Sequence, residues 1–250
     1  MSLDKVSVIT VCFRAEDVIE RTILSVVGQD YPSIEYIVVD GGSKDGTVDK
    51  VKKYARNISR WISEPDEGVY DAMNKGIEMA TGDWIIFLNA GDYFHSNDVI
   101  SRFTKEINED TTIAYGLIHY FTTEQEFDME YIPIEKMSFL DPIPHPATMT
   151  RLSYHKNHLF DISFRSSGDY DFFYKAYFDD KVKFQFIPLV MTDYDNLGGL
   201  SKDNLDLIWE ENKRVWIRRA SGRLMITMYS ERLLSMIKRI VKKVCSKNVL

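Results

Sequence analysis

The sequence feature that most constrains the fold is an apolar run that ends abruptly in small and acidic residues. Residues 84–88 are all large and apolar, and Asn89-Ala90-Gly91-Asp92 follows at once. Such a run is typical of a strand that is buried on both faces in a parallel sheet. Because ligands bind outside the carboxyl ends of strands in open α/β sheets, we expect this turn to lie at a binding site. Taken alone, the stretch also fits a plain turn, since Asn, Gly and Asp are common turn residues.

The combination of an apolar strand, a polar turn and a helix occurs three times before this run. The predicted strands are 6–13, 34–39 and 58–63, and the predicted helices are 16–28, 47–55 and 69–80, with Gly82 as the cap of the third helix. Three such repeats followed by a fourth strand predict βαβ units and a parallel sheet. The Asp, Asn and Gly clusters at the strand ends then meet at one sheet edge, which favours a functional site over unrelated turns.

The second half of the chain is less regular. We expect a helix over 98–107, a strand over 113–122 with a hairpin partner over 125–134, an extended segment over 160–164 and a last strand over 184–190. Prolines at positions 142, 144 and 146 predict an extended segment around His145, because proline restricts both itself and the residue before it. Ser167 or Gly168 is expected to begin a helix that runs through Tyr177, which places Asp169 in its first turn.

Length and composition bound the class of protein. A chain of 250 residues that is 44% hydrophobic suits one large α/β domain with an appendage. Cys12 and Cys245 lie far apart and form no metal-like spacing, so we expect a reducing compartment and no disulfide framework. No apolar stretch approaches the ~18 residues of a membrane span. The first five residues lead directly into a strand, so we expect no signal peptide and a cytoplasmic protein.

The C-terminal region differs in charge from the rest of the chain. The whole chain has a net charge of −7, yet residues 212–250 contain eleven Lys or Arg residues and one acid, Glu231. Between Arg223 and Cys245, apolar residues recur every three or four positions opposite a basic face. This pattern is typical of a helix in a membrane interface, so we expect the tail to bind the inner leaflet of the cytoplasmic membrane. Packing on the domain, or on a second copy in a homodimer, is the alternative. No recognition pattern for nucleic acid accompanies the charges.

Several longer motifs follow one another in order between residues 6 and 201. They are Ser7-Val8-Ile9-Thr10-Val11, Gln29-Asp30-Tyr31-Pro32, Val38-Val39-Asp40-Gly41-Gly42-Ser43-Lys44-Asp45-Gly46-Thr47, Ser63-Glu64-Pro65-Asp66-Glu67-Gly68-Val69-Tyr70-Asp71-Ala72-Met73-Asn74-Lys75-Gly76, Phe87-Leu88-Asn89-Ala90-Gly91-Asp92, His145-Pro146-Ala147-Thr148, Ser167-Gly168-Asp169-Tyr170-Asp171 and Gly198-Gly199-Leu200-Ser201. Together they resemble the family-2 glycosyltransferases of the GT-A fold, in the branch that builds bacterial surface polysaccharides.

This resemblance implies an architecture. The expected fold is an α/β GT-A fold with a Rossmann-like, mostly parallel central sheet flanked by helices, and with a C-terminal helical extension. The glycosyltransferase domain would span residues 1–211, with a nucleotide-binding half over about 1–95 and an acceptor and catalytic half over about 96–211. The basic amphipathic tail would then occupy 212–250.

In this family, the ends of the first three strands hold the nucleoside of a nucleotide-sugar donor. The residues that the resemblance assigns to the donor are Thr10, Val11 and Phe13 beside the base, Asp40 and Asp66 as acceptors of hydrogen bonds from the base or ribose, and Lys75 at the pyrophosphate. Turn capping is the alternative role for the two aspartates. A solvated position on its helix is the alternative for the lysine.

The 89–92 turn lies where the family has its acidic metal-binding motif, with Asn89, Ala90 and Gly91 beside the donor. A divalent cation, Mn²⁺ or Mg²⁺, is implied because the leaving group is a nucleoside diphosphate that gains charge as the sugar–phosphate bond breaks. Asn89 and Gly91 replace two acids of the commonest pattern, so Asp92 is the predicted carboxylate ligand. His145 is the second predicted ligand, and packing within its proline-rich loop is its alternative role.

Asp169 matches the catalytic base of the family. An inverting transfer needs one carboxylate to take the proton from the acceptor hydroxyl as that oxygen attacks the anomeric carbon. Gly168 replaces a glutamate that the family often has before this aspartate. Asp171 is the rival base, but it is two positions further along a helix and would point elsewhere. Residues 198–202 resemble a mobile loop over the donor, with Lys202 as a phosphate contact.

These assignments lead to one principal prediction of function. The chain is predicted to be an inverting, metal-dependent transferase that moves a hexosyl or N-acetylhexosaminyl group from a nucleotide sugar. The donor is expected to be a UDP-sugar and the acceptor a saccharide, free or linked to a polyprenyl diphosphate, in cell-surface polysaccharide synthesis. A nucleotidyltransferase is one rival, although the first strand lacks the Gly-rich basic signature that such enzymes carry. A catalytically degenerate homologue that binds nucleotide or scaffolds a membrane complex is the other rival.

Overall fold

The computed structural model of the chain describes residues 3–121, 126–138, 140–195 and 205–217. The first half consists of β1 (Val6–Cys12), α1 (Ile19–Val27), β2 (Ile34–Asp40), α2 (Thr47–Lys53), β3 (Arg60–Ser63), α3 (Val69–Met79) and β4 (Trp84–Phe87). The second half consists of β5 (Tyr93–Phe94), α4 (Val99–Glu106), β6 (Ile113–Phe121), β7 (Glu126–Asp128), β8 (Thr148–Arg151), α5 (Leu152–Asn157), α6 (Gly168–Tyr177), β9 (Phe184–Asp195) and α7 (Leu205–Ile217). Short 3₁₀ turns span Ile134–Ser138 and His145–Ala147.

The strands form one mostly parallel central sheet in the order β3-β2-β1-β4-β8-β6-β9-β5, with β7 paired to β6. β1 pairs parallel with both β2 and β4, and β2 pairs parallel with β3, which confirms the predicted βαβ units. Cys12 pairs with Asp40, and Asp40 with Ser63, so the carboxyl ends of the first three strands lie side by side. The β6–β7 hairpin is also confirmed, since these strands pair antiparallel.

The two faces of the parallel half are covered by different helices. Because side chains alternate along a strand, Ile9 and Val11 of β1 belong to the core under α3, whereas Val8 and Cys12 belong to the core under α1. α3 lies close to the sheet, since a Cβ added at Gly76 would lie 2.6 Å from Cγ2 of Ile9. This close packing fixes the beginning of α3 next to the end of β1.

Three local predictions were wrong. Gly82 does not cap α3, because Ala80 already leaves the helix with extended torsion angles. A Cβ at Gly82 would lie 2.6 Å from the carbonyl oxygen of Lys5, so this glycine permits a close backbone contact instead. His145 begins a 3₁₀ turn, and only Pro144 before it is extended. Residues 160–164 form a turn rather than an extended segment.

Two features of the second half went beyond the prediction. β8 was not predicted, and it joins the halves of the sheet by pairing antiparallel with both β4 and β6. β9 continues five residues past the predicted end because β5 and β6 both pair with its second half. The pair Tyr120–Tyr194 results from this extension.

Other predictions concern the C-terminal part of the chain. The loop at 198–202 and the stripe between Arg223 and Cys245 lie outside the described residues and stay predictions. The predicted domain boundary at 211/212 falls inside α7, whose Val215 and Trp216 are buried in the core. Within the described ranges, no helix combines the length and the apolar character needed to cross a membrane.

His155 in α5 provides a first testable prediction. Its ring is 2% exposed and is stacked on Phe172, with ring centroids 4.2 Å apart. Burial lowers the pKa of His155 to about 3. Between pH 6.5 and 3 the unfolded chain therefore binds a proton that the folded chain does not, so stability falls as the pH falls. From pH 7 to pH 5 this histidine is expected to remove about 2 kcal/mol from the free energy of unfolding.

Urea unfolding at pH 7 and pH 5 measures this effect. From pH 7 to pH 5, the free energy of unfolding of His155→Leu should fall by about 2 kcal/mol less than that of the wild type. His158, which is exposed at the end of the same helix, supplies the control, since His158→Gln should keep the wild-type pH dependence. An unchanged pH dependence in His155→Leu would contradict the prediction.

Candidate active site

A cleft of about 930 Å³ opens at the carboxyl ends of β1 and β4. Its walls come from the segments that follow these strands, the beginning of α3, the beginning of α6, the loop before β8, and the strands β6 and β9. The cleft therefore lies between the two halves of the sheet. Nine of the twelve residues predicted for the site line it: Val11, Phe13, Asp66, Asn89, Ala90, Gly91, Asp92, His145 and Asp169.

One wall of the cleft is formed by the end of β1, by the residues that follow it and by the turn after β4. Val11 and Phe13 are two positions apart and face the cleft together, and the Phe13 ring is 56% exposed. Gly91 has a φ of +110°, a backbone conformation that favours glycine. Its N–H donates to the Thr22 hydroxyl, which in turn donates to the carbonyl of Asp92. α1 thus fixes the turn that carries the predicted metal ligand.

Two predicted donor residues are buried away from the cleft. Thr10 is fully buried on the opposite face of β1, with its hydroxyl 3.1 Å from Oη of Tyr36. Asp40 is 1% exposed, and its carboxylate accepts hydrogen bonds from the N–H groups of Gly42 and Ser43 and from the hydroxyl of Ser63. These contacts support the turn-capping role of Asp40. Nothing tests either residue as a donor contact.

Lys75 and Asp66 lie on either side of the beginning of α3. Lys75 is outside the cleft lining and forms ion pairs with Glu64 at 3.0 Å and Asp71 at 3.5 Å. Its role at the pyrophosphate stays an untested prediction. Asp66 caps the turn before α3, because its Oδ1 accepts a hydrogen bond from the N–H of Gly68 at 2.9 Å. Its side chain also lines the cleft.

The predicted metal side contains two buried polar atoms that lack partners. Within the described part of the chain, Oδ1 of Asn89 and Nε2 of His145 are buried and form no hydrogen bond. Burial lowers the pKa of His145, a shift that the nearby Asp169 carboxylate opposes. A neutral imidazole can present a lone pair to a cation, and carboxylate and amide oxygens suit Mg²⁺ and Mn²⁺. Asp92, Asn89 and His145 therefore offer donor atoms that fit a divalent cation.

Asp169 lies in the first turn of α6 and faces the cleft. Its Oδ1 accepts hydrogen bonds from Oη of Tyr70 and from the N–H of Tyr170, both at 2.9 Å. Asp171, the rival, is 1% exposed and outside the cleft lining, with an ion pair to Lys175 at 2.6 Å. The expectation that only one of the two aspartates would face the site agrees with this arrangement.

Several cleft residues were not predicted. Arg14 directly follows Phe13 and has a positive φ of 51°. Its backbone N–H donates a hydrogen bond to the hydroxyl of Ser43 at 2.8 Å. Such a conformation in a residue other than glycine costs energy and often marks a functional site. Arg165 lines the opposite wall and donates to the carbonyl of Glu67 at 2.7 Å. Both were within reach of sequence reasoning, because Arg14 follows Phe13 directly and Arg165 lies four residues before Asp169.

Asp141 and two tyrosines line a further part of the cleft. Tyr120 and Tyr194 lie next to each other, with ring centroids 5.7 Å apart, and line the cleft together with Ile118. This wall results from the unpredicted extension of β9.

The comparisons with known proteins decide the family. Residues 7–175 match the sequence model of Glycosyl transferase family 2. The chain belongs to this family. Family membership makes the chain a glycosyltransferase and removes the nucleotidyltransferase alternative. A curated relative in Mycobacterium tuberculosis, a PGL/p-HBAD biosynthesis glycosyltransferase, is 27% identical over 212 residues, which cover 82% of each chain.

Solved structures confirm the GT-A fold of this family-2 enzyme. TarS 1–349 of S. aureus, determined in complex with UDP-GlcNAc, has a TM-score of 0.65 and 19% identity over 78% of this chain and 59% of TarS 1–349. The mannosyltransferase PcManGT of Pyrobaculum calidifontis, in complex with GDP-Man and Mn²⁺, has a TM-score of 0.65 and 15% identity over 90% of this chain and 69% of PcManGT.

Proposed function

We propose that this glycosyltransferase inverts the anomeric configuration, requires a divalent cation and transfers a sugar from a UDP-sugar to a saccharide acceptor of the cell surface. The observation that carries the proposal is one cleft that joins unpartnered donor atoms at Asn89 and His145 to the carboxylate of Asp169. The UDP-GlcNAc complex of TarS and the PGL/p-HBAD role of the mycobacterial relative support a nucleotide-sugar donor and a surface glycan.

The charge of the cleft supports the need for a cation. Among the described residues, four carboxylates line the cleft, those of Asp66, Asp92, Asp141 and Asp169, against the two arginines at positions 14 and 165. A nucleoside diphosphate is itself an anion and would be repelled by this excess of acid. Within the described ranges, no group of three His, Cys, Asp or Glu side chains is placed to hold a metal ion by itself. Asp92 and His145 would therefore hold the cation together with the phosphates of the donor. When bound, the cation would neutralise the charge of the leaving diphosphate.

The chemical step needs one base, and Asp169 has the geometry for it. Oδ1 is held by two donors, whereas Oδ2 makes no hydrogen bond within the described part of the chain. Oδ2 can therefore take the proton from an acceptor hydroxyl as that oxygen attacks the anomeric carbon from the face opposite the diphosphate. Asp141 also lines the cleft, but it lies outside the 167–171 motif that resembles the segment of the family's base.

The aromatic wall supports a saccharide acceptor. Tyr120 and Tyr194 present ring faces and hydroxyl groups, a combination that packs on the apolar C–H face of a sugar and bonds its hydroxyls. We expect Tyr120→Ala to raise the acceptor KM about tenfold, since an aromatic contact is worth roughly 1 kcal/mol or slightly more. Tyr131→Ala removes an exposed tyrosine outside the cleft lining and should leave the acceptor KM unchanged. An unchanged acceptor KM in Tyr120→Ala would exclude this wall from the acceptor site.

A screen of donors tests the proposed function. The purified chain is incubated with Mn²⁺, a lipid-linked saccharide mixture and UDP-, GDP- or dTDP-sugars, and release of the nucleoside diphosphate is measured. The proposal predicts release from a UDP-sugar and a product of inverted anomeric configuration by NMR. If UDP binds but no donor turns over with any acceptor, the chain is the degenerate nucleotide-binding homologue instead.

A further inference from the structure

One buried phenol joins the two halves of the enzyme at the predicted base. Tyr70, in the first turn of α3, is 4% exposed and donates its hydroxyl to Oδ1 of Asp169, which lies 99 residues later in the chain. Burial, followed by the charge of Asp169, raises the pKa of Tyr70 well above its usual value. The phenol therefore keeps its proton and acts as a permanent hydrogen-bond donor to the carboxylate.

The position of the Tyr70 ring depends on the absence of a side chain at Gly168. A Cβ added at Gly168 would lie 2.8 to 2.9 Å from three carbon atoms of that ring, closer than real Cβ contacts. Any other residue at this position would push the ring, and with it the hydroxyl, away from Asp169. The glycine that replaces the glutamate expected before the base is therefore explained by the tyrosine.

The beginning of α3 is held in place by residues from the second half of the chain. Arg165 donates to the carbonyl of Glu67 at 2.7 Å, just before the helix. Asn74, one turn after Tyr70, exchanges two hydrogen bonds of 3.0 Å with the backbone N–H and carbonyl of Phe160. The ring of Phe160 in turn packs against the ring of Tyr70, with centroids 5.4 Å apart. These contacts leave Tyr70 little freedom to move relative to Asp169.

We propose that Tyr70 is a positioning residue for Asp169 and that Gly168 is required for this role. The phenol holds Oδ1, so that Oδ2 is aimed at the acceptor hydroxyl. This inference rests on the proposed function, because it takes Asp169 as the base.

The variant Tyr70→Phe tests the proposal, because it keeps the ring and removes only the hydroxyl. With the full chain, Mn²⁺ and the donor found in the screen, kcat should fall about tenfold while the KM values of donor and acceptor and the UDP affinity stay unchanged. A loss of packing alone would change the KM values and the UDP affinity together with kcat. The control Tyr36→Phe removes a buried phenol that contacts Thr10 on the other face of the sheet, and its kcat should equal that of the wild type. A wild-type kcat in Tyr70→Phe would overturn the proposal.

A second set of variants tests the glycine and remains informative without turnover. In the wild-type background, Gly168→Ala should lower both Tm and kcat. In the Tyr70→Leu background, where the ring is absent, adding Gly168→Ala should not lower Tm any further. Equal Tm losses in both backgrounds would contradict the role of Gly168. If no donor turns over in the wild type, the proposed function fails. If, in that case, the Tm shift of the double variant Tyr70→Phe/Asp169→Asn differs from the sum of the two single shifts, the two residues form a purely structural pair. The positioning role would then be overturned.

Discussion

Replacement of Asp169 by asparagine is expected to lower kcat by about 10² to 10⁴-fold, the range that a general base contributes. The amide oxygen of the substituted side chain can still accept the hydrogen bonds that Tyr70 and the Tyr170 N–H donate to Oδ1. The variant should therefore fold normally and bind UDP with wild-type affinity. Steady-state kinetics together with calorimetric titration of UDP measure the two effects on the same preparation.

Asp171→Asn provides the contrasting variant. Its carboxylate is 1% exposed and pairs with Lys175, whose side chain is 51% exposed, so removing the charge should lower the unfolding free energy by about 1 kcal/mol. The folded fraction should retain the wild-type kcat, because this side chain does not line the cleft. If Asp171→Asn abolished turnover and Asp169→Asn did not, the two roles would have to be exchanged.

Removal of divalent cations is expected to have the second largest effect. Chelation with EDTA should lower turnover by roughly 10²-fold or more, because the leaving diphosphate would then face an acidic cleft without neutralisation. Addition of Mn²⁺ in excess should restore the rate. Asp92→Asn should need a higher Mn²⁺ concentration for half-maximal turnover, and the concentration dependence of the rate measures this shift. Turnover that is insensitive to EDTA would exclude the cation from the mechanism.

β1, β2 and β4 could be predicted from sequence because they are buried on both faces. Their apolar runs therefore mark them directly, and their polar ends mark the cleft. The alternation of side chains also explains the different surroundings of two predicted donor residues. Thr10 and Val11 are neighbours on β1, and Val11 lines the cleft whereas Thr10 is fully buried beside Tyr36.

Other features depend on contacts that no local pattern records. Asp40 ends β2 and Asp66 follows β3, yet Asp40 is enclosed by the N–H groups of its own turn and by Ser63, whereas Asp66 lines the cleft. β8 is four residues long and follows a proline-rich loop, so its antiparallel pairing was set by its neighbours rather than by its sequence. The bond from Tyr70 to Asp169 spans two elements, and the only trace of it in the sequence is the glycine before the aspartate.

The central claim is that the cleft binds the nucleotide of a UDP-sugar with a divalent cation at Asp92. Calorimetric titration of the purified chain with UDP, with and without Mn²⁺, tests this claim most directly. The account predicts binding in the micromolar range that requires Mn²⁺ and that is weakened in Asp92→Asn. Binding that is equally tight without the metal would contradict the role of Asp92, and no binding of UDP under either condition would contradict the donor assignment itself.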